Sequence, residues 1–301
     1  MSRFRWAARA TSPTRAPATD ARATRMHDTL AAARPTKAVI LARGLGTRMR
    51  RSDATAAVDA AQARAADTGV KGMIPIGRPF MDYLISAFAD AGFTDVCLVI
   101  GPEHHQVREH YGRESAAARA RLHFAVQADP LGTANAVLAA EEFAAGEPFV
   151  VINSDNYYPV EALRELRERA APVIVGFERD AIVRLGNVPP DRVARFGALD
   201  IDDEGMLRRI LVEPTAAMLA AGEIFASLNC WSFTSGIFHA CRDVPPSARG
   251  EFELPQAVQL AIDEYGLRMV VVRSHAAVLD MSSRADIASM AERLRDVAVT
   301  L

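Results

Sequence analysis

The stretch Lys37-Ala-Val-Ile-Leu-Ala-Arg-Gly-Leu-Gly-Thr-Arg48 opens with an apolar run of strand length, Lys37 to Ala42, and passes at once into a loop with two glycines and an arginine. An unbroken apolar run reads as a strand buried on both faces, as parallel strands are. A glycine loop at its carboxyl end lets backbone N–H groups come close to a phosphate, because no Cβ intervenes. Arg48 adds a planar, permanently charged fork suited to phosphate oxygens. The spacing is not that of a dinucleotide fingerprint, whose third glycine would fall at Met49, nor of a Walker loop, which needs Gly-Lys-Ser/Thr. The reading is a loop that holds the triphosphate of a nucleotide.

Lys71 is read together with this loop. Of the 35 basic residues only Lys37 and Lys71 are lysine. A compact ammonium does what a guanidinium fork cannot, so a lysine kept in an arginine-rich chain draws notice. Lys37 also reads simply as a charge at the start of a strand.

Outward from the loop, Ser52 to Ala66 is alanine-rich and predicts a helix, with Ser52 or Asp53 as its cap. Lys71 to Ile76 reads as a short extended segment. Phe80 to Ala91 is amphipathic with Gly92 as its stop, and Asp95 to Ile100 is a buried strand. Glu103 to Tyr111 reads as a helix, Leu122 to Gln127 as a strand, Thr133 to Phe143 as a helix and Phe149 to Asn153 as a strand. Pro159 to Ala170 then reads as a helix and Pro172 to Phe177 as a strand. Strands alternating with helices predict an α/β fold: a Rossmann-like, mostly parallel central sheet with helices on both faces and ligands at the carboxyl ends of its strands.

After residue 177 the pattern changes. Phe196 to Ile201 and Met206 to Val212, joined by Asp202-Asp-Glu-Gly205, predict a β-hairpin. Glu213 to Ala221 and Leu254 to Tyr265 read as helices, Ser227 to Phe233 and Leu267 to Arg273 as strands. A last apolar run, Ala276 to Leu279, precedes a closing helix from Ser283 to Leu294. There is no internal repeat, and in particular no hexapeptide series for a β-helical tail.

Composition bounds the rest. Half of the 301 residues are apolar, ample for one large α/β domain, here residues 37–301. Residues 1–36 lack apolar periodicity and are expected to be a disordered Arg/Ala-rich tail. Their composition also resembles a transit peptide, and Met26 offers an alternative start. No apolar run reaches the ~18 residues of a membrane span. Residues 1–25 carry +5 of a net charge of −2, leaving an acidic body that argues against nucleic-acid binding. Three cysteines, Cys97, Cys230 and Cys241, have no paired spacing, and a cytoplasmic location is expected.

Three further groups point to chemistry. Asp155 follows a buried strand at the same sheet edge as the glycine loop, and Asp280 follows Ala276 to Leu279 in the same way. Such carboxylates take Mg²⁺ while phosphates fill other positions, or else cap the helices that come next. Gln127 offers a donor and an acceptor to a nucleobase edge, and Gly132 lets backbone reach the same base. Glu103-His104-His105 with Glu109 and His110 reads as a solvated helix face, since nothing nearby completes a ligand set.

The blocks Leu41 to Met49 and Lys71 to Pro79 together resemble the sugar-1-phosphate nucleotidyltransferases. Gln127 to Ala134, Val151 to Asn156, Arg195 to Asp200, Val212 to Pro214, Ser247 to Leu254 and Leu279 to Ser282 continue the likeness in family order. The resemblance implies a single GT-A-like domain, with the hairpin on the sugar side, and Mg²⁺-dependent transfer of a nucleoside monophosphate from a nucleoside triphosphate to a sugar-1-phosphate. By it, Arg48 and Lys71 are catalytic. Leu41, Ala42, Gly44, Gly46, Thr47, Gln127 and Gly132 bind the nucleotide. Asp155 and Asp280 hold the metal, and Gly197, Glu213 and Asn229 face the sugar. A homo-oligomer stays open.

The chain also departs from the family. Arg43 stands where a small residue is usual, an alanine-rich insertion separates Arg48 from Lys71, and Pro214 stands where a lysine usually contacts the sugar phosphate. Arg208, Arg209 and Arg273 are the candidate substitutes for that lysine. Two other readings are a nucleotidyltransferase for a non-sugar phosphate acceptor and a non-catalytic nucleotide sensor on the same fold.

Overall fold

The computed structural model describes residues 34–51, 53–112, 119–170 and 172–301. Most of the expected tail, and Ser52 as a helix cap, lie outside the described residues.

The strands are β1 (Lys37–Leu41), β2 (Asp95–Ile100), β3 (Arg121–Val126), β4 (Phe149–Asn153), β5 (Asn156–Tyr157), β6 (Val173–Glu178), β7 (Ala198–Ile201), β8 (Leu207–Leu211), β9 (Phe225–Phe233), β10 (Val270–Ser274) and β11 (Leu279–Asp280). The main sheet runs β10-β6-β9-β4-β1-β2-β3. All neighbours pair in parallel except around β9, which is antiparallel to both β4 and β6. The expected mostly parallel α/β sheet is therefore present, with one reversed strand near its centre.

Side-chain alternation builds two cores from the same strands. Ala38, Ile40, Val96, Leu98, Val150 and Ile152 point into one layer, packed by helices Phe80–Asp90, Val160–Glu168 and Ala285–Arg293. Val39, Leu41, Cys97, Val99, Phe149 and Val151 point into the other, packed by Thr133–Ala139, Ile237–Asp243 and Leu254–Tyr265. Strands sandwiched between helices have no polar face, which is why they read as continuous apolar runs.

Several local expectations are corrected. The insertion is helical only over Ala60–Thr68, and its cap is Asp59 rather than Asp53. Asp59 Oδ1 accepts from Ala61 N and Gln62 N at 2.7 and 2.8 Å, while Gln62 Oε1 accepts from Asp59 N at 3.0 Å. Asp53 instead accepts from Thr55 N and Oγ1, a local turn that competes with a helix start. Lys71–Met73 is a 3-10 turn, not an extended segment. Thr133 to Phe143 breaks into Thr133–Ala139 and Glu141–Ala144. The hairpin is present as β7 and β8 with shorter arms. Helices Arg179–Leu185, Pro190–Val193 and Ile237–Asp243 had no sequence expectation.

The insertion braces the glycine loop. Gly46 and Gly69 both have left-handed backbones (φ +59 and +78) and lie so close that a Cβ on Gly46 would meet Gly69 O at 2.2 Å. Arg50 Nη2 donates to Thr68 O at 2.8 Å, and Arg284 Nε donates to Met49 O at 2.9 Å. That contact requires glycine at Gly46, while at Gly69 the left-handed backbone and the approach of Arg50 Nε and Leu45 O, at 2.4 and 2.9 Å from a Cβ, leave no room for a side chain. The loop and the turn carrying Lys71 are thereby fixed against each other.

Candidate active site

Two adjoining cavities open at the carboxyl ends of β1 and β4. The first, about 430 Å³, is lined by the glycine loop from Leu41 through Arg48 and by Lys71, Gln127, Gly132 and Asp155. The second, about 370 Å³, is lined by Asp155, Asp280, Asn229, Arg192 and Arg195 among others. Arg48, Asn153, Asp155 and Arg249 line both. Residues from opposite ends of the domain thus face adjoining cavities, because β1 lies beside β4 and β11 pairs with β5, which follows β4 directly.

Asp155 and Asp280 are brought together by the small β5–β11 pair, in which Asp280 lies opposite Asn156. Met281 N donates to Asp155 O at 2.8 Å and ties the two segments further. Asp280 is buried. Its Oδ1 accepts from Asn156 Nδ2 at 3.1 Å and its Oδ2 from Ser282 Oγ at 2.8 Å. Burial, reinforced by repulsion from Asp155, pushes the Asp280 carboxyl up to about 6 although Arg192 and Ser282 favour its charged form. Two carboxylates that line one cavity and repel each other in a partly dry site are a donor set for a hard divalent cation, whose charge would remove the repulsion. The residues present therefore fit the expected Mg²⁺.

Lys71 points into the site, with its Nζ 2.9 Å from Asp155 Oδ2. Arg48 is exposed and, among the described residues, makes no side-chain hydrogen bond or ion pair. Gln127 is buried, and its Nε2 donates to Gly132 O at 3.0 Å and to Asn135 Oδ1 at 2.8 Å. Both amide protons are used, so the free end of the side chain is its acceptor oxygen. Gly132 has φ +113, and a Cβ there would meet Phe252 O at 2.5 Å. Phe252 N donates to Leu131 O and Ala134 N to Phe252 O, at 2.7 and 2.8 Å. Two blocks far apart in sequence make one wall of the first cavity in this way.

The sugar-side expectations divide. Asn229 lines the second cavity, with a left-handed backbone (φ 56) and its Oδ1 accepting from Trp231 Nε1 at 3.2 Å. Gly197 is adjacent to Phe196 in that wall, and a Cβ on it would meet Ile210 Cγ2 at 2.7 Å. Glu213 is exposed and lines neither cavity. None of the candidate substitutes for the missing lysine reaches the second cavity: Arg208 and Arg209 are exposed on β8, and Arg273 lies over the Phe225 ring. The arginines that do line it are Arg48, Arg192, Arg195 and Arg249. Arg249 belongs to one of the blocks that carry the family likeness, Ser247 to Leu254, and could have been singled out there. Arg192 carries no sequence signal. Arg43 lies beside Glu103, with Nη2 3.3 Å from Glu103 Oε2. His104, expected on a solvated face, is buried, and burial lowers its pKa.

Among known proteins, a family model described as nucleotidyl transferase matches residues 37–294. The UTP–glucose-1-phosphate uridylyltransferase AglF of Haloferax volcanii is 26% identical over 267 residues, covering 86% of this chain and 97% of that one. A glucose-1-phosphate thymidylyltransferase of Streptomyces antibioticus is 29% identical over 234 residues, 75% of this chain. The chain spans 57% of that relative, and likewise 57% of the low-salt glycan biosynthesis nucleotidyltransferase Agl11 of Haloferax volcanii, with which it is 24% identical. Among solved structures, a UDP-glucose pyrophosphorylase complexed with UDP-glucose superposes with a TM-score of 0.66 at 17% identity, covering 88% of this chain and 100% of that one. HddC from Yersinia pseudotuberculosis gives a TM-score of 0.58 at 20% identity, over 86% and 99%.

Proposed function

The chain belongs to the nucleotidyl transferase family, and on that premise we propose that it joins a nucleoside triphosphate to a sugar-1-phosphate, giving a nucleoside-diphosphate sugar and pyrophosphate. The observation that carries this reading is the convergence of Arg48, Lys71, Asp155 and Asp280 on two adjoining cavities, which the reading takes as one for each substrate. An oxygen of the sugar phosphate attacks the α-phosphorus in line, and the bond from that phosphorus to the β-phosphate oxygen breaks. The step needs little covalent help from protein. It needs two anions brought together and the growing charge matched by groups already in place.

The glycine-loop N–H groups and Arg48 hold the β- and γ-phosphates as the leaving group. Lys71, on the wall of the first cavity beside Asp155, neutralises the α-phosphate oxygens around the phosphorus that is attacked. Asp155 and Asp280 would hold Mg²⁺, which supplies further neutralisation of phosphate oxygens. Gln127 presents its acceptor oxygen to the base. Uracil and thymine carry a ring N–H that this oxygen can accept, as guanine does, and the uridylyl- and thymidylyltransferases among the relatives make UTP or dTTP the proposed donor. Residues 37–301 act as one catalytic unit. Among the described residues no helix is long and apolar enough to cross a membrane, and the substrates are those of the cytoplasm.

A second reading rests on Pro214 and on Glu213, which stands outside both cavities. The acceptor would then be a phosphate compound other than a sugar-1-phosphate. Pyrophosphate release, measured with four triphosphates against sugar phosphates and alcohol phosphates, separates the two. Release with glucose-1-phosphate or a related sugar supports the first, and release only with other acceptors supports the second.

A further inference from the structure

Each carboxylate of the candidate metal pair already has a cation of this chain beside it. Lys71 Nζ lies 2.9 Å from Asp155 Oδ2, and Arg192 Nε lies 3.4 Å from Asp280 Oδ2. The two cations are held very differently. Arg192 Nη1 and Nη2 donate to Asp286 Oδ2 and Oδ1 at 3.1 and 3.0 Å. Asp286 is itself fixed, accepting from Ser283 N and Oγ at 2.8 and 3.0 Å. The guanidinium is therefore clamped along one edge, while its buried Nε has no hydrogen-bond partner and faces Asp280. Lys71 has no such clamp. Asp155 is its one side-chain partner among the described residues, and it stands on a 3-10 turn at the wall of the first cavity.

A compact ammonium on a flexible stem can change partners, whereas a forked guanidinium bound along one edge stays. A divalent cation approaching Asp155 in the free protein must displace the ammonium and also meets the field of Arg48, Arg192 and Arg249. A polyphosphate in the first cavity reverses this balance. It offers Lys71 a more highly charged partner and brings oxygen ligands of its own.

We infer that Lys71 is a resident counter-ion of Asp155 that excludes a divalent cation from the free protein and hands the carboxylate over when a polyphosphate arrives, while Arg192 remains in place as a positioning residue for Asp280. Metal and nucleotide then load together. The inference rests on the function proposed above and deepens it by assigning an order of binding.

The test uses Mn²⁺ binding to the full chain, read by water proton relaxation, which distinguishes protein-bound from nucleotide-bound ion. Wild type should bind Mn²⁺ alone at least about tenfold more weakly than in the presence of α,β-methylene-UTP. Lys71→Met, and Lys71→Gln as a second neutral variant, should bind Mn²⁺ alone roughly tenfold more tightly than wild type, as expected when one adjacent cation is removed from a partly buried carboxylate. Asp155→Asn should lose Mn²⁺ in every case. The inference is overturned if wild type binds Mn²⁺ equally well with and without the analogue, a comparison that stands even if neither lysine variant folds. It is also overturned if folded Lys71 variants bind Mn²⁺ no more tightly than wild type. Pyrophosphate release by wild type is measured in parallel. Release together with either of those results sinks the counter-ion alone, whereas absence of both release and Mn²⁺ binding sinks the enzymatic reading beneath it.

Discussion

The two ends of the parallel strands carry similar charged side chains in opposite states. At the amino ends, Lys37, Asp95 and Arg121 stand in register across β1, β2 and β3. Asp95 accepts from Arg121 Nε and Nη2 at 2.8 and 2.7 Å and from Thr94 Oγ1 at 2.8 Å, and His123 Nε2 lies 3.0 Å away. The Arg121 guanidinium holds its carboxyl well below the usual carboxylate range. Lys37 donates to Glu147 Oε1 and to the carbonyls of Phe143 and Ala144 at the end of a short helix. At the carboxyl ends Arg48 is unpaired among the described residues, Lys71 has one partner, and Asp280 is pushed up to about 6. Charges matched by their neighbours lower the energy of the fold. Charges left under repulsion await a ligand that relieves it. The two lysines of the chain fall one on each side of this divide.

The largest expected effects separate the two ends outright. Lys71→Ala and Asp155→Asn should each lower turnover by about 10³-fold or more, the scale of losing a charge that stabilises a transition state. Their melting temperatures should stay within a few degrees of wild type. Residual activity of Asp155→Asn should no longer depend on Mg²⁺, and an unchanged dependence would remove that ligand. Asp95→Ala should do the converse. It loses hydrogen bonds to a charged partner, so unfolding free energy should fall by roughly 2 kcal/mol, while turnover per folded molecule is kept. A denaturant titration beside the pyrophosphate assay checks both halves.

Next comes pH, where the two ends have opposite signs. Asp95 is depressed in the folded chain, so its stabilisation is full above the unfolded carboxylate pKa of about 4 and is lost as pH falls below it. Asp280 is raised to about 6. Between those values the folded chain binds a proton that the unfolded chain does not, so this group makes the metal-free protein less stable as pH rises from about 4 to about 6. Asp280→Asn should abolish that fall, seen in melting curves without metal at pH 4, 5, 6 and 7. A fall of the same size in the variant would assign it elsewhere. The smallest effect belongs to Gln127→Ala, which should raise the KM for the nucleotide about tenfold through one lost hydrogen bond and flatten the preference among bases.

Much of this was legible in the chain itself, for a physical reason. Strands buried on both faces leave unbroken apolar runs, and the polar residues just past each run, at the carboxyl edge, stand out: Arg48 after β1, Gln127 after β3, Asp155 after β4. The rest depends on distance. An apolar run has no direction, so the reversal of β9 could not be read. Alanine-rich sequence is helical almost anywhere, so only the reciprocal Asp59–Gln62 bonds fix where the insertion helix begins. Arg192 acquires its place from Asp280 and Asp286, which lie 94 positions away in the latter case, and nothing in its local sequence announces them. Glu213 sits in a block of the family likeness yet is exposed, because the short helix after it, Ala216–Ala221, buries none of its residues.

The most direct measurement is pyrophosphate release by the wild-type chain with UTP or dTTP, a sugar-1-phosphate and Mg²⁺. Steady release that requires all three components, with the sugar nucleotide as the second product, is the predicted result. Nucleotide binding with no pyrophosphate from any triphosphate and acceptor pair would contradict it and leave a nucleotide sensor built on an enzyme's fold.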